Sequence, residues 1–84
     1  MQVHERFTED ELEVLLLAWA TRQKGLDFRP SDELWPESHR LTERGWLERR
    51  WNNQNGDIVF RWSHQAEAAL DINNLTATAK ASVN

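Results

Sequence analysis

The sequence predicts a small α+β domain that is mostly helical, with a three-helix core, a two-stranded hairpin and a C-terminal helix. A capped, apolar helix pattern begins at Thr8. An alternating strand pattern follows Gly45 and contains an Asn-Gly pair, a strong short signal for a hairpin turn. Ser63 then precedes another helical pattern. The chain has 84 residues, which is the size of one such domain.

The first helix is predicted by its cap and by the spacing of its apolar residues. Thr8 is a good N-cap, and Glu11 completes a capping box three residues later. Gly25 is expected to end the helix, because glycine accepts the left-handed conformation of a helix C-terminus. The apolar residues between these two ends recur at helical spacing and predict a buried stripe. That stripe contains Leu12, Leu15, Leu16 and Trp19.

The segment that follows Gly25 predicts two short helices. Ser31 is a candidate cap for a single helical turn. Pro36 fits the first position of the second helix, and it disfavours the helical conformation for Trp35 before it. We expect this second short helix, which is the third helix of the domain, to span residues 36–44 and to stop at Gly45.

Residues 46–62 predict a β-hairpin with two different faces. If the Asn-Gly pair forms a two-residue turn, Arg50 lies opposite Arg61. In the same register Arg49 lies opposite Trp62, where a cation–π contact is expected. The apolar face should pack against the stripe of the first helix. That face carries Leu47, Arg49, Trp51, Ile58, Phe60 and Trp62, and the opposite face carries Trp46, Glu48, Arg50, Val59 and Arg61.

The C-terminal part of the chain predicts one more helix and then a tail. Ser63 is the expected cap of a helix over residues 64–72. Beyond it, the sequence is small and polar with little periodicity, so we expect no burial of apolar surface there. The predicted division is an N-terminal arm (residues 1–6), a folded domain (residues 7–72) and a flexible tail (residues 73–84).

Three stretches of the sequence occur in the order of a known DNA-binding fold. "LTERGWLERR" (residues 41–50) is followed by "GDIVFRWS" (residues 56–63) and by a helix that contains "AEAAL". This order resembles the third helix, the wing and the following helix of a winged helix-turn-helix domain of the MarR-like kind. The resemblance extends from residue 8 to about residue 72. Its matching positions are Leu41, Arg44, Gly45, Leu47, Arg49, Gly56, Ile58, Phe60, Trp62 and Ser63.

The resemblance implies a DNA-binding protein, either a transcriptional regulator or a recombination accessory factor. Double-stranded DNA is then the expected partner. The chain is also similar in size to small winged-helix proteins of bacterial viruses and mobile elements, which often act on host proteins. The long dimerisation helices that are usual in the family have no counterpart in this sequence, so the oligomeric state is left open.

Charge in the second half of the domain favours DNA binding. The formal net charge is -4, yet residues 38–62 hold five arginines and three acids. Two arginines opposite each other destabilise a hairpin unless an anion, such as a phosphate, lies over them. The alternative is that Glu48 neutralises the pair and the arginines are only solvated. The candidate DNA-contacting residues are Ser38, His39, Arg40, Arg44, Arg50, Asn52, Asn53, Asn55 and Arg61.

A protein-interaction module is the alternative function. Residues 1–37 are acidic, and Glu37 at the start of the third helix repels phosphate. The chain also holds five tryptophans, and tryptophan and arginine are frequent anchors of protein interfaces. Trp35 and Trp46 are the candidate anchors, since both are expected to be partly exposed.

Other classes of function are disfavoured by the composition. The chain has no cysteine and its three histidines share no metal-ligand spacing, so we expect neither a metal nor a cofactor. We also expect no enzymatic activity, since no nucleophile–base pair or glycine-rich phosphate loop is present. The longest apolar run is far shorter than the roughly 20 residues of a membrane span. With no signal-peptide pattern at the N-terminus, a cytoplasmic location is expected.

Overall fold

Four α-helices, one 3-10 turn and a two-stranded antiparallel sheet make up the part of the chain that the structure describes. The structure is a computed structural model, and it describes residues 7–54 and 56–82, with side chains as far as residue 77. The predicted α+β class is confirmed, in a winged-helix arrangement. The elements are α1 (Glu9–Gln23), the 3-10 turn (Asp32–Leu34), α2 (Trp35–Glu43), β1 (Leu47–Asn52), β2 (Asp57–Trp62), α3 (His64–Ala69) and α4 (Ile72–Ser82).

Helix α1 begins and ends where its sequence signals predict. The Glu11 N–H donates to the Thr8 hydroxyl at 3.1 Å, and the Thr8 N–H donates to the Glu11 carboxylate at 2.9 Å. These two bonds form a complete capping box. After the helix, Gly25 has a φ of +73°, which glycine adopts without a steric penalty. The buried residues of α1 are Glu11, Leu12, Val14, Leu15 and Ala18.

The 3-10 turn leads directly into helix α2. The Leu34 N–H donates to the Ser31 carbonyl at 3.0 Å and closes the turn. Trp35 follows with helical angles, φ −61° and ψ −47°, and is the first residue of α2. The expectation that Pro36 keeps Trp35 out of the helix is therefore wrong. The preceding turn already sets the helical path, and the Trp35 ring packs edge-on at 5.4 Å from the Phe60 ring.

The hairpin turn is two residues longer than predicted. The strands end with Asn52 opposite Asp57, so four positions connect them where two were predicted. The Gly56 N–H donates to the Asn52 carbonyl at 2.9 Å, and the Gln54 N–H donates to the Asn52 side chain, also at 2.9 Å. These bonds favour a four-residue loop over the two-residue one. The predicted register is thus wrong by two positions, which preserves the two faces but changes every opposite pair.

Strand β2 is bordered on its other side by Phe28. Phe28 and Phe60 exchange two backbone hydrogen bonds of 2.7 Å in an antiparallel bridge. Strand β2 therefore lies between Phe28 and β1. The hairpin of β1 and β2 is the wing of the winged-helix arrangement, and β1 is its outer strand. The sequence pattern gave no indication of this bridge, because a single pairing residue has no periodicity to detect.

The inner face of the hairpin packs against α1, as predicted. Buried residues of the hairpin and of α1 belong to one apolar cluster, and Leu16, Trp19 and Ile58 are partly buried against it. Two residues of the predicted inner face, Arg49 and Trp51, are instead exposed, because the outer half of β1 extends past the core. The cluster consists of Leu12, Val14, Leu15, Ala18, Phe28, Leu41, Trp46, Leu47, Phe60, Trp62, Ala66 and Leu75.

The C-terminal segment is helical where a flexible tail is predicted. Helix α3 stops at Ala69 instead of continuing to residue 72, and α4 then packs against α1. Leu75 of α4 is buried in the common core. The expectation that this segment buries no apolar surface is wrong, because Leu75 and the partly buried Ile72, one turn apart on α4, both pack on the core.

The predicted arm (residues 1–6) and the last two residues of the predicted tail lie outside the described residues. The folded region reaches beyond the predicted boundary at residue 72, since α4 continues to Ser82. Among the helices of the described ranges, none combines the length and the apolar character that crossing a membrane requires.

Candidate functional site

The buried carboxylate of Glu11 holds the two arginines that α2 and its C-terminus contribute. Its Oε2 lies 3.2 Å from Arg44 Nη1 and 3.9 Å from Arg40 Nε. The Glu11 side chain is only 6 % exposed, so its charge needs compensation inside the fold. Arg44 also lies over the Phe7 ring, with its guanidinium carbon 4.9 Å from the ring centroid. Both candidate DNA-contacting arginines therefore have a structural role.

Two acids lie beside Arg40 on α2, the mostly buried Glu37 and the exposed Glu43. Arg40 Nη2 lies 3.1 Å from Glu37 Oε1. Glu43 is exposed three residues further along the helix, on the same side. A phosphate group that approached Arg40 would have to displace Glu37 and would then face Glu43. Helix α2 is therefore poorly suited to a DNA groove, although it occupies the position of a recognition helix.

Ser38 and His39 contribute to the packing of α2. Ser38 is buried, and its hydroxyl donates to the Leu34 carbonyl at 2.8 Å. The prediction that Ser38 contacts DNA is corrected, since a buried hydroxyl with an internal partner cannot reach a groove. The half-buried His39 ring lies 5.3 Å from the Trp35 ring and 5.9 Å from the Phe60 ring. Contact of His39 with DNA remains a prediction.

Arg61 does not face Arg50 across the hairpin. In the observed register Glu48 lies opposite Arg61, and Val59 lies opposite Arg50. Arg61 also binds Asp27, whose Oδ1 lies 2.8 Å from Nη2 and 3.0 Å from Nε. The predicted pair of opposed like charges is wrong, because the longer turn shifts the register and a carboxylate from the loop after α1 neutralises Arg61.

Arg49 and Arg50 are exposed and carry no such neutralisation. Neither side chain forms a hydrogen bond or an ion pair with any residue that the structure describes. Arg49 lies opposite Phe60, and the predicted cation–π contact with Trp62 is wrong because Leu47 takes that position. Residues 49–54 contain no acid, so this strand segment is itself positive, and the nearest acids of the hairpin are Glu48, opposite Arg61, and Asp57, opposite Asn52.

Trp51 is a candidate functional residue that the sequence reasoning missed. Its side chain is 62 % exposed at the outer end of β1, opposite the half-buried Ile58. Alternation assigns it correctly to the inner face of the hairpin, but alternation does not say how far along a strand the core reaches. The usable signal was its position, one residue before the end of the strand.

Only some of the polar residues at the tip of the wing are free to contact a ligand. The Asn52 side chain accepts the Gln54 N–H and serves the turn. Asn53 and Gln54 are exposed. Asn55, the other predicted contact at the tip, lies outside the described residues. The wing thus presents Arg49, Arg50 and Trp51, followed by exposed amides.

The two tryptophans predicted as protein-binding anchors differ in burial. Trp46 is 3 % exposed, and its ring packs edge-on against Phe7 at 6.3 Å, so its role as a surface anchor is corrected. Trp35 is half-buried and borders an open cleft of about 470 Å³. The cleft is lined by Arg29, Pro30, Asp32, Trp35, Asp57 and Ile58.

Comparison with models of protein families, with curated proteins and with solved structures finds no match for this chain.

Proposed function

We propose that this chain is a small winged-helix protein of the MarR-like kind that binds nucleic acid, as a transcriptional regulator or a recombination accessory factor. Its wing, and not helix α2, makes the main contact with phosphate. The observation that supports this proposal is charge compensation. Of the seven arginines in the described residues, Arg49 and Arg50 are the two without a hydrogen-bond or ion-pair partner there.

An unpaired arginine binds phosphate more favourably than a paired one. Arg40, Arg44 and Arg61 each have to leave a carboxylate before they can bind a phosphate oxygen. Arg49 and Arg50 exchange only water for phosphate, so more of the charge-assisted hydrogen bond contributes to affinity. Their side chains point to opposite faces of β1, so the two cations lie on either side of the strand.

The overall acidity of the chain sets the expected mode of binding. With a net charge of -4, long-range attraction to a polyanion is weak, and binding depends on the few contacts of the wing. Contacts to phosphate carry no information about base sequence. The proposed binding is therefore short-ranged, sensitive to salt and largely independent of sequence.

Two double mutants of equal charge test this proposal. Arg49→Ala with Arg50→Ala removes the unpaired arginines. Arg29→Ala with Arg40→Ala removes two exposed arginines that are paired with carboxylates, 3.0 Å from Asp57 and 3.1 Å from Glu37 respectively. Fluorescence anisotropy with labelled oligonucleotides is measured over a range of salt concentrations. The wing mutant should lose affinity evenly across sequences, and its slope of log affinity against log salt should fall by roughly 1–2.

The control mutant should keep both the affinity and the salt slope of the parent. An equal loss in both double mutants would mean that only net charge matters. Unchanged binding by the wing mutant would remove the wing from the contact surface. Either result contradicts the proposal.

The cleft beside Trp35 favours a second candidate function, a protein-interaction module such as a phage protein that binds a host factor. Trp35, Pro30 and Ile58 provide apolar lining, and charged residues surround it. An apolar centre with a polar rim is typical of protein interfaces. The exposed rim residue Asp32 allows a test. Asp32→Lys should abolish binding of such a factor in a pull-down and leave nucleic-acid binding intact, whereas the wing mutant should do the reverse.

A further inference from the structure

The exposed indole of Trp51 is an unusual feature of the wing. Among the large apolar side chains of the described residues, it is the most exposed, at 62 %, compared with 58 % for Leu26 and 41 % for Leu17. Exposed aromatic surface contributes no burial energy to folding, so a ligand that covers it can gain that free energy on binding. The ring reaches towards the turn, because its Cζ2 lies 3.9 Å from the position that a Cβ on Gly56 would occupy. One side of the indole is thus close to the turn.

The neighbours of Trp51 indicate what covers it. Arg49 lies two residues earlier on the same face of β1, roughly 7 Å away along the strand. Arg50 lies between them and points to the other face. The base and the phosphate of one nucleotide are separated by a distance of this order, so one nucleotide can contact the indole and a guanidinium together.

We propose that the wing binds single-stranded nucleic acid along the outer edge of β1, with an unpaired base stacked on Trp51, the adjoining phosphate bound by Arg49, and a neighbouring phosphate bound by Arg50 on the other face. This inference rests on the proposed function, since it names the class of nucleic acid that the same surface recognises. Aromatic stacking combined with a positively charged backbone contact is a general means of binding single strands without sequence preference.

Duplex DNA suits this surface less well than a single strand. In a duplex the faces of the bases are stacked on each other, so an indole face cannot reach them. A duplex also offers its major groove to a recognition helix, but Arg40 and Arg44 at α2 are bound to carboxylates. The single-stranded ligand uses the unpaired groups of the wing and requires nothing of α2.

The test compares four ligands and three variants of the full chain. The ligands are a labelled mixed-sequence single-stranded DNA, its RNA counterpart, the corresponding DNA duplex and the corresponding RNA duplex. The variants are Trp51→Ala, Trp51→Phe, which keeps an aromatic face, and Leu26→Ala, which removes an exposed apolar side chain away from the wing. Anisotropy gives the affinities, and quenching of tryptophan fluorescence in the unmodified protein reports stacking directly.

The expected result has three parts. The parent binds the single strands more tightly than the duplexes. Trp51→Ala weakens single-strand binding roughly 5- to 150-fold, the range that removal of one stacked base contact gives, and leaves duplex binding nearly unchanged. Trp51→Phe and Leu26→Ala stay close to the parent, but Trp51→Phe loses the fluorescence quenching. A preference between the DNA and RNA strands identifies which of the two sources the wing favours.

Three outcomes overturn the inference, and they are distinguishable from failure of the proposed function. Equal affinity of Trp51→Ala and the parent for single strands excludes stacking, as does an equal loss for single strands and duplexes. In both cases a retained effect of the Arg49 and Arg50 mutant leaves nucleic-acid binding in place. Absence of binding to all four ligands at low salt overturns both proposals and favours the protein-interaction alternative.

Discussion

Helix α2 and strand β1 each carry a pair of arginines close to one another, and the fold treats the two pairs differently. Arg40 and Arg44, at α2, lie within 4 Å of the Glu11 carboxylate. Arg49 and Arg50, on β1, are exposed without a partner in the described part of the chain. In the sequence nothing distinguishes the charges of the two pairs. The pair at α2 even looks the better candidate for DNA contact, because a winged-helix domain usually reads DNA with this helix.

The difference shows that an arginine can bind a ligand readily when no carboxylate of the fold already binds it. The number of arginines on an element does not decide this. Glu11 comes from α1, 33 residues before Arg44, and is positioned by its own capping box. That local motif therefore has a long-range consequence, because the carboxylate that caps α1 also neutralises α2. Strand β1 differs because it is the outer strand of the hairpin and the acid opposite its end, Asp57, is bound to Arg29.

Phe60 connects the two regions, and its removal should have the largest effect. It contacts the Trp35 and His39 rings of α2 and lies opposite Arg49 of β1. Phe60→Ala should lower the free energy of unfolding by roughly 3–5 kcal/mol, enough to unfold much of the population of so small a domain. Urea denaturation measures the change. Trp51→Ala, on the same hairpin face but exposed, should stay within about 0.5 kcal/mol of the parent, and a large loss there would mean that the tip is part of the core.

Removing Glu11 should bring the arginines of α2 closer to the state of those on β1. Glu11→Ala loses the capping bond and the charge-assisted bond to Arg44, so we expect a loss of about 2 kcal/mol of stability. Glu11→Gln should lose less, because the amide oxygen can still accept the Thr8 N–H. Both variants remove the Glu11 charge beside Arg40 and Arg44, so nucleic-acid affinity at low salt should rise in the folded fraction. Unchanged affinity would show that α2 faces away from the ligand.

Arg44→Ala and Arg50→Ala form a matched pair. The first removes an arginine that stabilises the fold, and the second removes an exposed arginine that can bind a ligand. Arg44→Ala should cost roughly 1 kcal/mol of stability, because it leaves the buried Glu11 with the more distant Arg40 and uncovers Phe7. Arg50→Ala should leave stability within about 0.5 kcal/mol and should reduce nucleic-acid affinity more than Arg44→Ala does. Thermal melts and anisotropy measured on the same samples compare the two, and the reverse ranking in either measurement would contradict the comparison.

Arg61→Ala should have the smallest effect of the series. The Arg61–Asp27 pair is partly exposed, so its loss should cost less than about 1 kcal/mol. Because Arg61 is already bound to Asp27, it should make no phosphate contact, and the slope of log affinity against log salt should not change. A lower slope, equal to that of Arg50→Ala, would restore Arg61 as a phosphate contact.

Local signals in the sequence predict much of the fold correctly. The Thr8 cap, the glycine stops at positions 25 and 45 and the Ser63 cap are all observed, and the Ala66 N–H donates to the Ser63 hydroxyl at 3.0 Å. The two faces of the hairpin are correct because alternation depends only on adjacent residues. Gly45 illustrates the limit of such signals, since its φ of +88° follows from the helix stop but its close approach to the Gln65 side chain does not.

The sequence by itself determined where α1, α3 and strand β2 begin, which face of α1 and of the hairpin is apolar, and that the hairpin is rich in arginine and tryptophan. These properties depend on residues a few positions apart. The tertiary structure alone decided that Trp46 is buried and Trp51 is exposed, that Leu75 joins the core, and that Glu11 and Asp27 each neutralise an arginine more than 30 positions away. The physical reason is that burial and charge compensation depend on which segments the fold brings together. The spacing of residues along the chain does not show which distant segments these are.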